Sequence, residues 1–168
     1  YLTKDNAYVC IFMDKGMNGI PYSYQKEKTI CAIYDEISAI SCFETIKQGF
    51  NPKIIVCYQK KSELMNLVKM INQIIPRLVK QQIDIEFFHI NITGSGVKNY
   101  LSIQNYVLEI MLRLSKANKI NHVSIALSPL IFSVDLIDNS IKHVFENGLI
   151  PIVPLTGIDS NLFEDLKE

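Results

Sequence analysis

The sequence lacks a net charge and a long uninterrupted run of apolar residues. Among its 168 residues, 17 basic and 17 acidic side chains cancel. This balance removes the bulk electrostatic attraction typical of nucleic-acid-binding proteins, although a local basic patch stays compatible with it. The longest apolar stretch, residues 123–137, contains serines, a proline and an aspartate, and it falls short of the roughly 20 apolar residues that span a bilayer. We therefore expect no membrane segment and a cytoplasmic location.

Closely spaced cysteines are also missing. Cys10, Cys31, Cys42 and Cys57 are widely separated, whereas structural zinc sites use ligands about two to four residues apart. The three histidines lie far from one another and are expected at strand ends or on the surface. The sequence thus predicts no metal site and reduced, buried thiols, since disulfides are rare in the cytosol.

The chain does contain a regular alternation of two hydrophobic patterns. Continuous apolar runs predict strands buried on both faces, and apolar residues at every third or fourth position predict helices. Gly49 and Gly148 predict helix ends and Pro76 predicts a break. The predicted strands are residues 29–33, 53–58, 83–92, 123–127 and 149–153, separated by helices within 39–47, 62–78, 101–114 and 133–147. This order predicts an α/β fold, a doubly wound parallel sheet of about five strands.

Two regions flank this alternation. Residues 7–12 read as a lone strand, and a glycine- and proline-containing connection follows them up to residue 28. Because an isolated strand rarely stands without a sheet, we expect a piece of a longer protein, with residues 1–28 as a residual strand and linker and 29–168 as the α/β domain. A short final helix is predicted to begin after Asp159 or Ser160.

In such a sheet, ligands bind beyond the carboxyl ends of the strands, where the strand order reverses. This rule selects residues 34–38, 58–61, 93–97 and 128–133. Weaker signals there are Gly94-Ser95-Gly96, interpreted as a flexible connector, and the Lys60-Lys61 pair, which could meet RNA phosphates but more often marks a solvated turn. Ser62 is interpreted as a helix N-cap.

Three segments together resemble the tRNA thiouridine synthetase family, ThiI, whose members also serve thiamine biosynthesis. Residues 5–9 (DNAYV) are similar to the last strand of that family's RNA-binding THUMP domain. Residues 18–28 (NGIPYSYQKEK) are similar to its interdomain linker, and residues 152–159 (IVPLTGID) to a late strand and turn. The resemblance implies an ATP pyrophosphatase domain of the PP-loop type, with an adenine nucleotide alpha hydrolase-like, Rossmann-like fold.

The sequence departs from that family where the family binds ATP. Its S-G-G-x-D-S loop would lie after the first strand, where glycine backbones and a helix N-terminus hold phosphate. Here Tyr34, Asp35 and Glu36 replace the loop, and Ser38 aligns with its final serine. Likewise, residues 128–133 (SPLIFS) replace a polar run, and Gln104 and Asn105 stand where the family has arginines.

The resemblance therefore implies a vestigial nucleotide site. Its members would be Tyr34, Asp35, Glu36, Ser38, Tyr58 and Ser128. We expect Asp35 and Glu36 to cap the following helix and fill the anion site. The alternative is that they hold Mg²⁺, which would bridge to phosphate. None of the cysteines present inherits the family's thiol chemistry.

The expected function is that of a degenerate PP-loop domain without ATP activation of its own. It would act as a scaffold, with tRNA, a second copy or further domains of a parent protein as partners, and no cofactor. The alternative is an active enzyme that uses ATP and Mg²⁺ to adenylate a tRNA uridine for sulfur transfer through an atypical loop.

Overall fold

The apolar runs form the strands of one parallel sheet, and the amphipathic segments form helices on its two faces. The structure, a computed structural model, describes residues 27–77, 83–91 and 97–157. The strands are β1 (Lys28–Ile33), β2 (Asn51–Tyr58), β3 (Ile85–His89), β4 (His122–Ser124) and β5 (Ile150–Ile152). The helices are α1 (Glu36–Lys47), α2 (Lys61–Ile74), α3 (Val97–Asn118) and α4 (Val134–Glu146), and a 3₁₀ turn (Ile75–Arg77) follows α2.

The strand order is β3-β2-β1-β4-β5, and all neighbouring pairs are parallel. The chain therefore runs outward from β1 to β3, then crosses back through α3 to β4 on the other side of β1. This is a doubly wound sheet of five strands, as the hydrophobic pattern predicts. Its strand order reverses between β1 and β4, which is where such sheets open a ligand crevice.

Alternate residues of β1 face different layers. Cys31 and Ile33 pack with α1 and α2, whereas Ile30 and Ala32 pack with α3 and α4. Because both faces of β1 are covered, all five of its residues from Thr29 onward are buried. The continuous apolar run thus reflects a central strand with helices on both sides.

Helix ends follow the sequence signals in most places. Gly49 and Gly148 adopt φ of +87° and +74° just beyond α1 and α4, a conformation that glycine adopts without strain. Pro76 lies in the 3₁₀ turn that ends the α2 segment. The Ser62 cap prediction is wrong, because α2 begins at Lys61 and the Glu63 carboxylate accepts the N–H groups of residues 59 and 60 at 3.1 and 3.2 Å.

The strands β3 and β4 are shorter than predicted, since the apolar runs extend beyond the paired residues. Even so, the N–H of Ile125 donates to the carbonyl of Ile152 at 2.8 Å just past β4. The predicted strand at 7–12, the linker, the Gly94-Ser95-Gly96 turn and the final helix lie outside the described residues. Among the described helices, none is both long and apolar enough to cross a membrane.

Candidate functional site

The loop between β1 and α1 closes on itself through Asp35 and Ser38. The Asp35 carboxylate accepts the N–H of Ser38 at 2.7 Å. In return, the Ser38 hydroxyl oxygen accepts the N–H groups of Tyr34 and Asp35, each at 2.9 Å. Asp35 is therefore the N-cap of α1 in a reciprocal capping box, an arrangement that satisfies free N–H groups of a helix start.

Of the two acids expected to cap α1, Asp35 performs this role and Glu36 does not. Glu36 lies in the first turn with its side chain exposed to solvent. There its charge complements the positive end of the helix dipole. Ser38, by contrast, is fully buried, and its hydroxyl oxygen is engaged by the N–H groups of Tyr34 and Asp35.

Tyr100, from the first turns of α3, covers this cap. Its hydroxyl donates to the second carboxylate oxygen of Asp35 at 2.5 Å, and its ring stacks almost parallel on Phe132, with centroids 5.9 Å apart. Burial, followed by the negative charge of Asp35, raises the pKa of Tyr100 above its ordinary value. Tyr100 therefore stays protonated and keeps donating to Asp35, which links α3 to the start of α1.

Tyr34 lies beside this contact, between Tyr100 and Gln104. Its ring lies 6.5 Å from that of Tyr100, and the Gln104 side-chain amide donates to its hydroxyl at 3.4 Å. Burial, with Asp35 as the next cause, holds the pKa of Tyr34 well above its ordinary value. A cavity of about 30 Å³ remains beside Tyr34, Gln104 and Asn105, enough for about two water molecules.

The segment after β4 forms the other wall of the crevice. Ser128 is fully buried, and its backbone carbonyl accepts the N–H groups of Ile131 and Phe132 at 3.0 and 2.9 Å. Its hydroxyl accepts the N–H of Leu130 at 3.3 Å. Ser128 thus shapes a tight turn that places Phe132 against Tyr100.

The residues expected at the vestigial nucleotide site do not all converge. Tyr34, Asp35 and Ser38 form one network, but Tyr58 packs on the opposite face of the sheet, with α1 and α2. There its ring lies 5.4 Å from that of His89. Because side chains alternate along a strand, the end of β2 alone does not fix which face Tyr58 takes.

The described cysteines are core residues. Cys31, Cys42 and Cys57 are free thiols, each 2% exposed or less. Burial raises the pKa of Cys57 to about 12, and a hydrogen bond with Cys31, followed by burial, raises that of Cys42. The thiols of Cys42 and Cys57 are therefore poor nucleophiles. Within the described ranges, no group of three histidine, cysteine or acidic side chains could hold a metal ion.

Sequence reasoning missed Tyr100 and Phe132 as members of this site. A topological signal was available for Tyr100: α3 follows β3, so its first turns lie at the carboxyl edge of the sheet, near the end of β1. Phe132 lies in the segment 128–133 that replaces the family's polar run, and the sequence indicates no partner for it. Its stacking on Tyr100 depends on the turn at Ser128, which the sequence does not define.

Comparison with known proteins shows the fold of the chain and no more. No family model matches it, and no curated protein matches it. Among solved structures, it is similar to PH1313 from Pyrococcus horikoshii, with a TM-score of 0.56 and 17% identity over 91% of this chain. The match covers 44% of that protein's chain, so the present chain corresponds to less than half of its length. At this identity the likeness shows a shared α/β fold.

Proposed function

We propose that the chain is a nucleotide-free domain of the PP-loop type, in which the protein's own side chains occupy the phosphate position. The observation that carries the proposal is the Asp35 cap. The backbone N–H groups that a phosphate loop would offer are donated to Asp35 and Ser38 within the protein.

Electrostatics supports the same proposal. A carboxylate about 4 Å from a phosphate charge repels it by roughly 4 kcal/mol at an effective dielectric of about 20. Asp35 occupies that position with its carboxylate held from both sides, by Ser38 and by Tyr100. Glu36 adds a second negative charge one residue further along. Binding ATP would require breaking this network as well as overcoming both charges.

The described cavity beside Tyr34 is too small for a nucleotide. It measures about 30 Å³ and is lined in part by Gln104 and Asn105, and no described Arg or Lys side chain lines it. The Tyr100–Phe132 stack lies over the cap. We infer a scaffold role for the domain, related by resemblance to tRNA thiolation and thiamine biosynthesis. Its partners would be tRNA, a second copy or other domains of a parent protein.

The second candidate is an active enzyme that adenylates a tRNA uridine with ATP and Mg²⁺. The observation that favours it is the exposed carboxylate of Glu36 beside the start of α1, because Mg²⁺ prefers oxygen ligands. Mg²⁺ between Glu36 and a phosphate of ATP would have to act without the close approach of backbone to phosphate that glycine permits.

Calorimetric titration with ATP and Mg²⁺ separates the two candidates. We expect no binding by the wild type up to millimolar ATP, and measurable binding by the Asp35→Gly/Glu36→Gly double variant, because the loop N–H groups become available. The Tyr58→Phe variant is the matched control, since that ring lies on the other face, and it should behave as the wild type. Micromolar binding by the wild type that is lost in Glu36→Lys would overturn the proposal and support the metal bridge.

A further inference from the structure

The two edges of the described sheet differ in how they are protected. β5 has three residues, and the central one is Pro151, which has no N–H to donate and therefore discourages pairing with another strand. β3 has five residues, Ile85 to His89, and no proline, glycine or lysine. Its single acid, Glu86, forms an ion pair with Lys53 at 2.6 Å. Among the described residues, the β3 edge thus has neither proline nor a bulge, and its one acid is paired within the sheet.

The backbone of β3 offers its outer groups at defined positions. The carbonyl of Asp84 accepts from Ile54 at 2.9 Å, and the N–H of Ile90 donates to Tyr58 at 2.8 Å. The backbone groups of Asp84 and Ile90 that form these bonds therefore point toward β2. Since the direction alternates along a strand, the N–H and C=O groups of Ile85, Phe87 and His89 point away from β2, toward the side of β3 where no described strand lies.

The side chains of β3 are self-complementary about its centre. Phe87 is the middle residue, and its side chain is 52% exposed. An antiparallel copy centred on Phe87 would place Phe87 opposite its equivalent and Ile85 opposite His89. These are the residues with outward backbone groups, so each facing pair can exchange two hydrogen bonds, about six in total. A two-fold axis between the two Phe87 residues would relate the strands, so that both strands form the same hydrogen bonds.

We propose that β3 pairs antiparallel with β3 of a second copy of this chain, joining two five-stranded sheets into one. This inference develops the scaffold role of the proposed function by naming a partner and a surface. It depends on the sheet edge and not on the crevice, so nucleotide binding and dimer formation can fail independently. A five-residue edge buries little area, and we expect a dissociation constant in the micromolar range.

Sedimentation velocity between roughly 1 and 200 µM tests the pairing, a range that spans weak interfaces. The wild type should shift from monomer to dimer over this range. Phe87→Pro should remain monomeric with unchanged circular dichroism, because it removes an N–H that points away from β2, where an edge strand tolerates proline. Phe87→Lys, which keeps the N–H and places two like charges opposite each other, should weaken the dimer at least tenfold.

Met65→Lys is the matched control, because Met65 is another exposed apolar residue, 67% exposed, on α2. It should leave dimer formation unchanged. A wild type that stays monomeric across the whole range overturns the proposal, even if another protein's strand can occupy the edge. A dimer that persists in both Phe87 variants overturns it as well.

Disulfide trapping checks the register. Facing residues of a hydrogen-bonded antiparallel pair have Cα atoms about 5.5 Å apart, within the range of roughly 4.4–6.8 Å that a disulfide bridges. In a Cys10→Ser background, Phe87→Cys should cross-link under mild oxidation, and Met65→Cys should not. Cys31, Cys42 and Cys57 are buried and do not compete. Equal cross-linking of both variants contradicts the proposed register.

Discussion

Asp35 controls the chemistry of the candidate site through both of its carboxylate oxygens. One oxygen accepts the N–H of Ser38, and the other accepts the hydroxyl of Tyr100. The first contact is local, and the pattern of an acid followed three residues later by serine is a recognisable helix start. The second contact joins residues 65 positions apart. For this reason capping of α1 could be predicted from the sequence, whereas closure by Tyr100 could not.

Asp35→Ala should lower the free energy of unfolding by about 1–2 kcal/mol, because it removes the N-cap and leaves Tyr100 without its acceptor. Urea denaturation measures the change. Asp35→Asn keeps a capping oxygen and should cost less. Glu36→Ala is the control, and its loss should stay near a few tenths of a kcal/mol, since Glu36 is exposed. Equal losses at the two positions would contradict the capping geometry.

The buried thiol of Cys57 should make stability depend on alkaline pH. Its pKa is raised to about 12 in the folded protein from an ordinary value of 9.0. The folded state therefore retains a proton that the unfolded state releases, so stability is full below pH 9 and falls as pH rises from 9 toward 12. The expected slope from this group approaches about 1.4 kcal/mol per pH unit.

Denaturation of the wild type and Cys57→Ala between pH 8 and about 10 measures this slope. The variant should lose that part of the slope, although Cys42, whose pKa is also raised, continues to contribute. Tyr34 and Tyr100, whose pKa values are also raised, begin to contribute as the pH nears the ordinary tyrosine value of about 10, but they contribute equally to both proteins and leave the difference between them unchanged. Identical slopes would show that Cys57 is not protected from ionisation in the folded state.

At the scale of elements, polar contacts as well as apolar packing fix α1 on the sheet. The Thr45 hydroxyl lies 2.7 Å from that of Ser124 on β4, and it also donates to the carbonyl of Ser41 at 2.8 Å. All three side chains are buried. Because a buried hydroxyl must find a partner, these contacts hold α1 beside β4, next to the crevice.

The end of α4 offers a paired test of backbone conformation. Gly148 has φ of +74°, and no described residue brings an atom within 4 Å of the place that a Cβ would take there. Gly157 has the same open space among the described residues, without a positive φ. Gly148→Ala should destabilise the protein by about 1–2 kcal/mol, from conformational strain alone. Gly157→Ala should be neutral or stabilise it by up to about 1 kcal/mol. Thermal and urea unfolding measure both, and equal effects would exclude strain as the cause.

For the whole molecule, the strand order concentrates stability in the middle of the sheet. β1 pairs with β2 on one side and β4 on the other, and helices cover both of its faces. β3 has a single described strand neighbour, and two of its five side chains are exposed. Hydrogen bonds that are buried from solvent open less often than exposed ones.

Amide hydrogen exchange should therefore be slowest in β1 and in the central part of β2. The outward N–H groups of Ile85, Phe87 and His89 should exchange rapidly in dilute protein, whereas those of Phe88 and Ile90 should be protected. Exchange measured residue by residue by NMR provides the check. Protection of Phe87 equal to that of Ile55 in dilute protein would show that another segment already covers this edge.

The hydrophobic periodicity of the sequence by itself determined the elements, their order and the parallel sheet. Period-two and period-3.6 patterns record local burial, and continuous apolar runs such as residues 30–33 record a strand covered on both faces. The cap at Asp35 belongs to this group as well, because it involves residues only three apart. Element ends were less well determined, as Ser62 and the shortened β3 and β4 illustrate.

Only the tertiary structure decided which side chains meet at the crevice. In the folded chain Tyr100 binds Asp35 and stacks on Phe132, whereas Tyr58 packs on the opposite face of the sheet. The tertiary structure also placed β3 at the edge of the described sheet, with Phe87 exposed. The physical reason is that these outcomes depend on strand order and on packing between distant segments, which local hydrophobic patterns do not encode.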